Sequence, residues 1–164
     1  VDFDLFCQAG LNKKDIWKKL LQIPYKVVKI SEDSDQIHFI INDIKVTFFE
    51  YPFEIDHPLL PDQYLAIPSL LSLSSMKAYA LGRRAKWKDY VDLYFIIKDH
   101  FSIREISMEA PKHFGQFYSE KLFREQLAFH KDIDYSEPVE YVIHPLSEDQ
   151  IRSFLIDKAI DLEN

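Results

Sequence analysis

The alternation of apolar and polar residues predicts strands in the first third of the chain. In residues 1–6, Asp2 and Asp4 fall on one side and Phe3 and Leu5 on the other, which is the two-residue period of a strand. Further runs with strand character cover 25–30, 36–41 and 44–51. The pattern therefore predicts a sheet in this part of the chain.

Turn and cap residues separate these runs. Asn42 and Asp43 tolerate positive φ and join the last two strands as a tight hairpin. Asn12 is a good N-cap for a helix that Pro24 ends. The apolar positions of this helix repeat at helical spacing: Ile16, Trp17, Leu20 and Leu21.

From residue 69 onwards the pattern becomes helical. Ser69 or Ser72 is expected to cap a helix that ends near Gly82. Further helices are predicted over 87–99, 102–110 and 119–129. Ser147 and Gln150 have the spacing of a capping box before a last helix. We therefore predict an α+β fold, with a mixed α/β part over 1–68 and a helical part over 69–164.

Composition and charge narrow the classes of protein. The net charge of −7 over 164 residues disfavours a general nucleic-acid binder, although a local basic patch remains compatible with it. Cys7 is the only cysteine, which excludes an internal disulfide and favours a reducing, cytoplasmic compartment. No apolar run of about 18 residues occurs, so no membrane span is expected. The 6 histidines show no HxxxH spacing, and this disfavours zinc chemistry.

Asp2 and Asp4 are the first candidate site. Carboxylates two residues apart on one strand face lie about 6 to 7 Å apart at their Cα atoms. In a shared site they repel unless a proton or a cation lies between them, and Mg²⁺ favours oxygen ligands of this kind. The alternative is a solvated strand face on which both acids point to water.

The second candidate is Lys77. It falls in the middle of a stripe formed by Leu70, Leu73, Ala80 and Leu81, which the helical period places towards the core. A lysine in that position must extend to solvent or pair with an anion. Both outcomes are compatible with the sequence.

The third candidate is the run RRAKWKDYVDLY at 83–94. Its basic residues surround Trp87, a combination that contacts phosphates and stacks a base in nucleic-acid-binding proteins. The basic residues are Arg83, Arg84, Lys86 and Lys88, and Asp89 and Asp92 follow. The alternative is a surface pair between Lys88 and Asp92, worth only about 0.3 to 0.5 kcal/mol.

Together these segments resemble the AbiEii family of nucleotidyltransferase-fold toxins. The pattern is an Asp-x-Asp strand, a helix with Met-Lys-x-x-Ala-Leu, an arginine, and then Lys-Asp-x-x-Asp-Leu-Tyr. The matching residues are Asp2, Asp4, Met76, Lys77, Ala80, Leu81, Arg83 or Arg84, Lys88, Asp89, Asp92, Leu93 and Tyr94. The resemblance is strong over 1–6 and 69–97.

The resemblance implies a nucleotidyltransferase-like mixed sheet with flanking helices, followed by a helical part. It also implies a Mg²⁺-dependent enzyme that moves an NMP from an NTP to an acceptor such as tRNA or another RNA. Such proteins act as toxins or in phage defence, and an antitoxin is the implied partner.

The implied roles of the residues follow from the motif. Asp2 and Asp4 would bind the metal and act in catalysis together with Lys77 and Asp92. The residues implied to contact the nucleotide or its phosphates are Lys77, Arg83, Arg84, Lys88 and Asp89.

The chain departs from the superfamily pattern at two places. A Gly-Gly-Ser or Gly-Gly-Thr turn normally precedes the Asp-x-Asp strand, and we expect that an N-terminal part carrying it lies upstream of Val1. Thr47 stands where a third carboxylate often occurs, and Glu50 falls on the other side of its strand. Two alternatives therefore remain: a non-catalytic binding module with this fold, and an enzyme that nucleotidylates proteins.

Overall fold

A computed structural model describes residues 2–8, 10–58, 65–142 and 144–162. The chain forms two compact units, Val1–Glu54 and Ile55–Asn164, and each is described by itself. The sequence-based division after residue 68 followed the start of the first long helix. In the structure the connection from Ile55 belongs to the helical unit, and Ile55 is only 7% exposed.

The first unit is a four-stranded mixed sheet with one helix. The strands lie in the order β1-β4-β3-β2. β1 pairs with β4 in parallel, and the other neighbours are antiparallel. The elements are β1 (Asp2–Cys7), α1 (Lys13–Leu20), β2 (Val27–Glu32), β3 (Gln36–Ile41) and β4 (Ile44–Glu50).

Local sequence explains the turns of this unit. Asn42 and Asp43 have φ values of 49° and 67°, so the predicted hairpin is confirmed. The Asn12 side chain accepts a hydrogen bond from the backbone N–H of Asp15 and caps α1. The Trp17 ring stacks on the Phe39 ring at 5.7 Å between centroids, which places α1 against the buried face of the sheet.

The second unit is helical. Its helices are α2 (Leu70–Leu81), α3 (Trp87–Asp99), α4 (Ile103–Phe114), α5 (Glu120–Ala128) and α6 (Glu148–Ile160). A 3₁₀ turn (Gly115–Phe117) follows α4. Within the described ranges, no helix is both long and apolar enough to cross a bilayer. A mixed sheet followed by helices confirms the predicted α+β class.

Serine caps set the starts of these helices. The hydroxyls of Ser69, Ser102, Ser119 and Ser147 each accept a hydrogen bond from a backbone N–H of the first turn. α4 extends beyond the predicted end at 110 because its last turn is held by the buried ring of Phe114.

The predicted apolar stripe of α2 is wrong. Leu81 is buried, but Leu70 is 40% exposed, and the buried face carries Ser72, Ser74, Ser75 and Ala78. The Ser74 and Ser75 hydroxyls donate to backbone carbonyl oxygens of their own helix at 2.6 and 2.7 Å. Because these hydroxyls are satisfied within the helix, the small side chains can be buried, although a hydropathy pattern counts them as polar.

Candidate functional site

The two strand carboxylates lie in the first unit. Asp2 and Asp4 are both exposed and lie on the same face of β1, which is an edge strand. Among the described residues, neither carboxylate has a hydrogen-bond or ion-pair partner. Both carboxylates therefore face solvent, where an external cation can reach them.

The neighbouring strand carries no carboxylate beside this pair. In the register of the sheet, Lys45 lies opposite Asp2 and Thr47 lies opposite Asp4. The Thr47 hydroxyl is buried and forms a hydrogen bond with His38 Nδ1 at 3.2 Å. Glu50 lies opposite Cys7 and so belongs to the other face. A metal on this face would have two carboxylate ligands from the described strands.

The other candidate residues lie in the second unit, where Lys77 forms ion pairs with Asp89 and Asp92. Its Nζ atom lies 2.8 Å from Asp89 Oδ1 and 2.5 Å from Asp92 Oδ2. The Asp89 side chain is 0% exposed, that of Lys77 is 30% exposed and that of Asp92 is 50% exposed. Burial lowers the pKa of Lys77, but the charges and hydrogen bonds of Asp92 and Asp89 outweigh it, and the net shift is upwards.

Helix geometry positions the two aspartates. Asp89 lies in the first turn of α3, where the helix dipole favours a negative charge. Asp92 follows three residues later on the same side of the helix. Arg84, just after α2, donates from Nε to Asp89 Oδ2 at 3.0 Å. The fully buried carboxylate is therefore balanced by two cations and ties the end of α2 to the start of α3.

The basic run does not form one continuous patch. Lys86 lies 2.6 Å from Asp134 and 3.1 Å from Glu137, and Lys88 also forms an ion pair with Glu137. The hydrogen bond from Lys88 lowers the pKa of Glu137 to about 2. The predicted surface pair between Lys88 and Asp92 is wrong, since Asp92 pairs with Lys77.

Trp87 is not available to stack a base. Its side chain is only 6% exposed and packs against Tyr90 and Tyr135. Arg83 is exposed, and its guanidinium lies 4.4 Å from the centroid of the Tyr79 ring. Among the four basic residues of this run, Arg83 is exposed and the Arg84 side chain is 54% exposed.

A groove of about 280 Å³ begins at Asp92. Its apolar wall comes from α3 and from the segment before α6, in which Val142 is fully exposed. The lining residues are Val91, Asp92, Phe95, Val139, Glu140, Tyr141 and Val142. The groove thus combines an apolar surface with the carboxylate that pairs with Lys77, a feature that the sequence pattern did not reveal.

The structure therefore groups the predicted residues into two sets. Asp2 and Asp4 belong to the first unit, whereas Lys77, Arg84, Asp89 and Asp92 form one network in the second. Glu137, which sequence reasoning missed, engages Lys86 and Lys88. It lies far along the chain from both lysines, so no local signal could have indicated the contact.

Comparison with known proteins gives two similarities. The chain is 27% identical over 118 residues to uncharacterized protein aq_aa25 of Aquifex aeolicus (strain VF5), covering 68% of this chain and 55% of that protein. The chain thus spans about half the length of this curated relative. No family model matches the chain.

The crystal structure of JHP933 from Helicobacter pylori is similar in fold. The match has a TM-score of 0.50 and 13% sequence identity, and it covers 96% of this chain and 73% of that chain. At this level of identity the likeness concerns the fold alone.

Proposed function

We propose that this protein is a Mg²⁺-dependent nucleotidyltransferase that moves an NMP from an NTP to an RNA acceptor. The observation that carries the proposal is the pair of exposed carboxylates, Asp2 and Asp4, on one face of β1, for which the described residues show no hydrogen bond or ion pair. The motifs of 1–6 and 69–97 that resemble AbiEii nucleotidyltransferases support it.

The chemistry needs charge neutralisation at the phosphates. An acceptor hydroxyl attacks the α-phosphorus and gives up its proton to water. The bond between this phosphorus and the bridging oxygen breaks, and pyrophosphate leaves with that bond's electron pair. Mg²⁺ held by Asp2 and Asp4 would supply, when bound, a counter-charge for the phosphate oxygens. The two carboxylates provide the oxygen ligands that this ion prefers.

Lys77 is the residue proposed to meet the triphosphate. Its raised pKa keeps the ammonium charged over the whole physiological range. Asp92 is half exposed, so exchanging its carboxylate for a phosphate oxygen would cost little, whereas buried Asp89 would stay in place and hold the lysine. Arg83 and Arg84 would add positive charge, and the apolar groove beside Asp92 would offer a surface for a base.

A non-catalytic binding module with the same fold is the second candidate. The ion pairs of Lys77 favour it, because a lysine bound to two aspartates performs a structural task without any ligand. Thr47 in place of a third carboxylate points in the same direction.

Calorimetric titration of each NTP into the full-length gene product, with and without Mg²⁺, tests the proposal. We expect Mg²⁺-dependent binding that Asp2→Asn and Asp4→Asn abolish. Asp35→Asn is the matched control, since Asp35 is an exposed aspartate of the same unit. Binding that survives in both site variants, or its complete absence from the wild-type protein, would contradict the metal assignment.

Transfer assays then separate the remaining possibilities. α-Labelled NTP is supplied with total tRNA, or with protein alone. Label on RNA supports the proposal, and label only on protein supports the protein-nucleotidylating alternative. Binding without transfer to either acceptor supports the binding module.

A further inference from the structure

A second group of ligating side chains lies in the helical unit and shares no residue with the candidate site described above. Asp56, Glu109 and His113 each offer one ligand atom, and these atoms all lie within 4.8 Å of one another. The Glu109 side chain is 10% exposed and that of His113 is 3% exposed. Asp56 is exposed and closes the group from the solvent side.

The fold explains why these residues meet. Glu109 and His113 are four residues apart on α4, which places them on one face of the helix. Asp56 follows the buried Ile55, whose side chain anchors the incoming segment in the same unit. HxxxH spacing does not indicate the group, because it consists of a Glu-x-x-x-His pair completed by a distant aspartate.

The spacing of the two helix ligands is that of a direct i, i+4 ion pair, and it also fits two ligands of one metal ion. Two ligands that are each about 2.0 to 2.1 Å from a tetrahedral Zn²⁺ lie about 3.3 to 3.4 Å from each other. His113 Nε2 and Glu109 Oε1 are 3.4 Å apart. The other carboxylate oxygen, Oε2, accepts from Lys112 Nζ at 2.6 Å, so the atom facing His113 is the one left for a metal.

The chemistry of the donors selects the class of ion. An imidazole nitrogen with two carboxylate oxygens suits Zn²⁺ and similar first-row divalent ions, whereas Mg²⁺ is usually bound by oxygen atoms alone. The two carboxylates also favour positive charge nearby. Lys112 forms an ion pair with Glu109, but its side chain is 65% exposed and therefore well screened by water.

We propose that Asp56, Glu109 and His113 bind a divalent transition-metal ion of the Zn²⁺ class, with Lys112 as an outer hydrogen-bond partner of Glu109. Three protein ligands leave one tetrahedral position for water or another small ligand. The site would clamp the segment at Asp56 onto α4. It is independent of the nucleotidyltransferase proposal and uses none of its residues.

Two titrations of the metal-free protein test this proposal. Zn²⁺ binding is measured by competition with a chromophoric chelator, and Co²⁺ binding by its visible absorption, whose intensity reports four-coordinate geometry. We expect one equivalent to bind, with affinity reduced by more than about tenfold in Asp56→Asn, Glu109→Gln and His113→Gln. Asp157→Asn and His100→Gln, at exposed positions elsewhere in the unit, are the controls and should bind like the wild type.

Asp56→Asn decides the case if the buried variants fail to fold, because Asp56 is exposed and its amide keeps the shape of the side chain. Wild-type affinity for Zn²⁺ in this variant would overturn the proposal, as would the absence of an intense Co²⁺ spectrum. NTP binding in the presence of Mg²⁺ should be the same in Asp56→Asn and wild type. If the nucleotidyltransferase proposal fails, the Zn²⁺ and Co²⁺ titrations still test the metal site, because the two proposals share no residue.

Discussion

Replacing Asp89 by asparagine should destabilise the helical unit by about 1.5 to 3 kcal/mol. The Asp89 carboxylate is fully buried and accepts hydrogen bonds from Lys77 and Arg84 at 2.8 and 3.0 Å. Removing one partner of a buried ion pair costs roughly 3 to 5 kcal/mol when the remaining charge has nowhere to go. Here the loss is smaller, because Lys77 keeps Asp92 and the Arg84 side chain is 54% exposed and regains water.

Urea unfolding followed by tryptophan fluorescence measures this effect. Trp17 belongs to the first unit and buried Trp87 to the second, so a Trp17→Phe background makes the emission report the helical unit. Asp89→Asn should move the midpoint to lower urea with an unchanged slope, because the fold and the area exposed on unfolding are the same.

Asp92→Asn is the matched control on the same helix. Its side chain is 50% exposed, so its loss should cost less than about 1 kcal/mol. In the double variant with Lys77→Met, part of the cost of Asp89→Asn should disappear, since one of the two cations that Asp89 neutralises is gone. Equal losses in Asp89→Asn and Asp92→Asn, or additive losses in the double variant, would refute this reasoning.

The remaining predictions concern pH. The hydrogen bond from Lys88, with a further contribution from Lys86, holds the pKa of Glu137 at about 2 instead of 4.5. The contribution of Glu137 to the free energy of unfolding is therefore complete above pH 4.5 and is lost as pH falls towards 2. In Glu137→Gln, the free energy of unfolding from urea titrations should therefore fall less over this acid range, by no more than about 1 kcal/mol, because both pairs are partly exposed. Burial raises the pKa of Tyr90 and of Tyr118 from 10 to about 12. The stability that both tyrosines contribute is therefore complete below pH 10 and is lost as pH rises towards 12. Tyr90→Phe should reduce the loss of stability between pH 10 and 12. Tyrosinate absorbance of the folded protein measures the ionisation directly. If both tyrosines ionise near pH 10, the burial argument is contradicted.

Much of the secondary structure was predictable because its causes are local. The Asn42–Asp43 turn, the Asn12 cap and the Ser147–Gln150 capping box depend on atoms only a few residues apart. The elements around them were therefore placed close to their observed bounds.

The buried face of α2 was not predictable in the same way. Whether a serine hydroxyl is satisfied by its own helix is a property of the folded backbone, and a hydropathy pattern does not contain it. The pattern assigned Lys77 to the core stripe, while the structure buries Ser74 and Ser75 and leaves Lys77 partly open. Of the two outcomes that the sequence left open for Lys77, extension to solvent or pairing with an anion, the structure shows pairing, with Asp89 and Asp92.

The sequence alone determined which chemical groups the protein has and how they are spaced within one strand or one helix. It placed Asp2 and Asp4 on one face of a strand, because a two-residue period is a property of the backbone. Only the tertiary structure decided which charges meet across the chain: Glu137 with Lys86 and Lys88, and Asp56 with Glu109 and His113. These contacts join distant parts of the chain, and packing of the helical core, not local geometry, brings them within reach of one another.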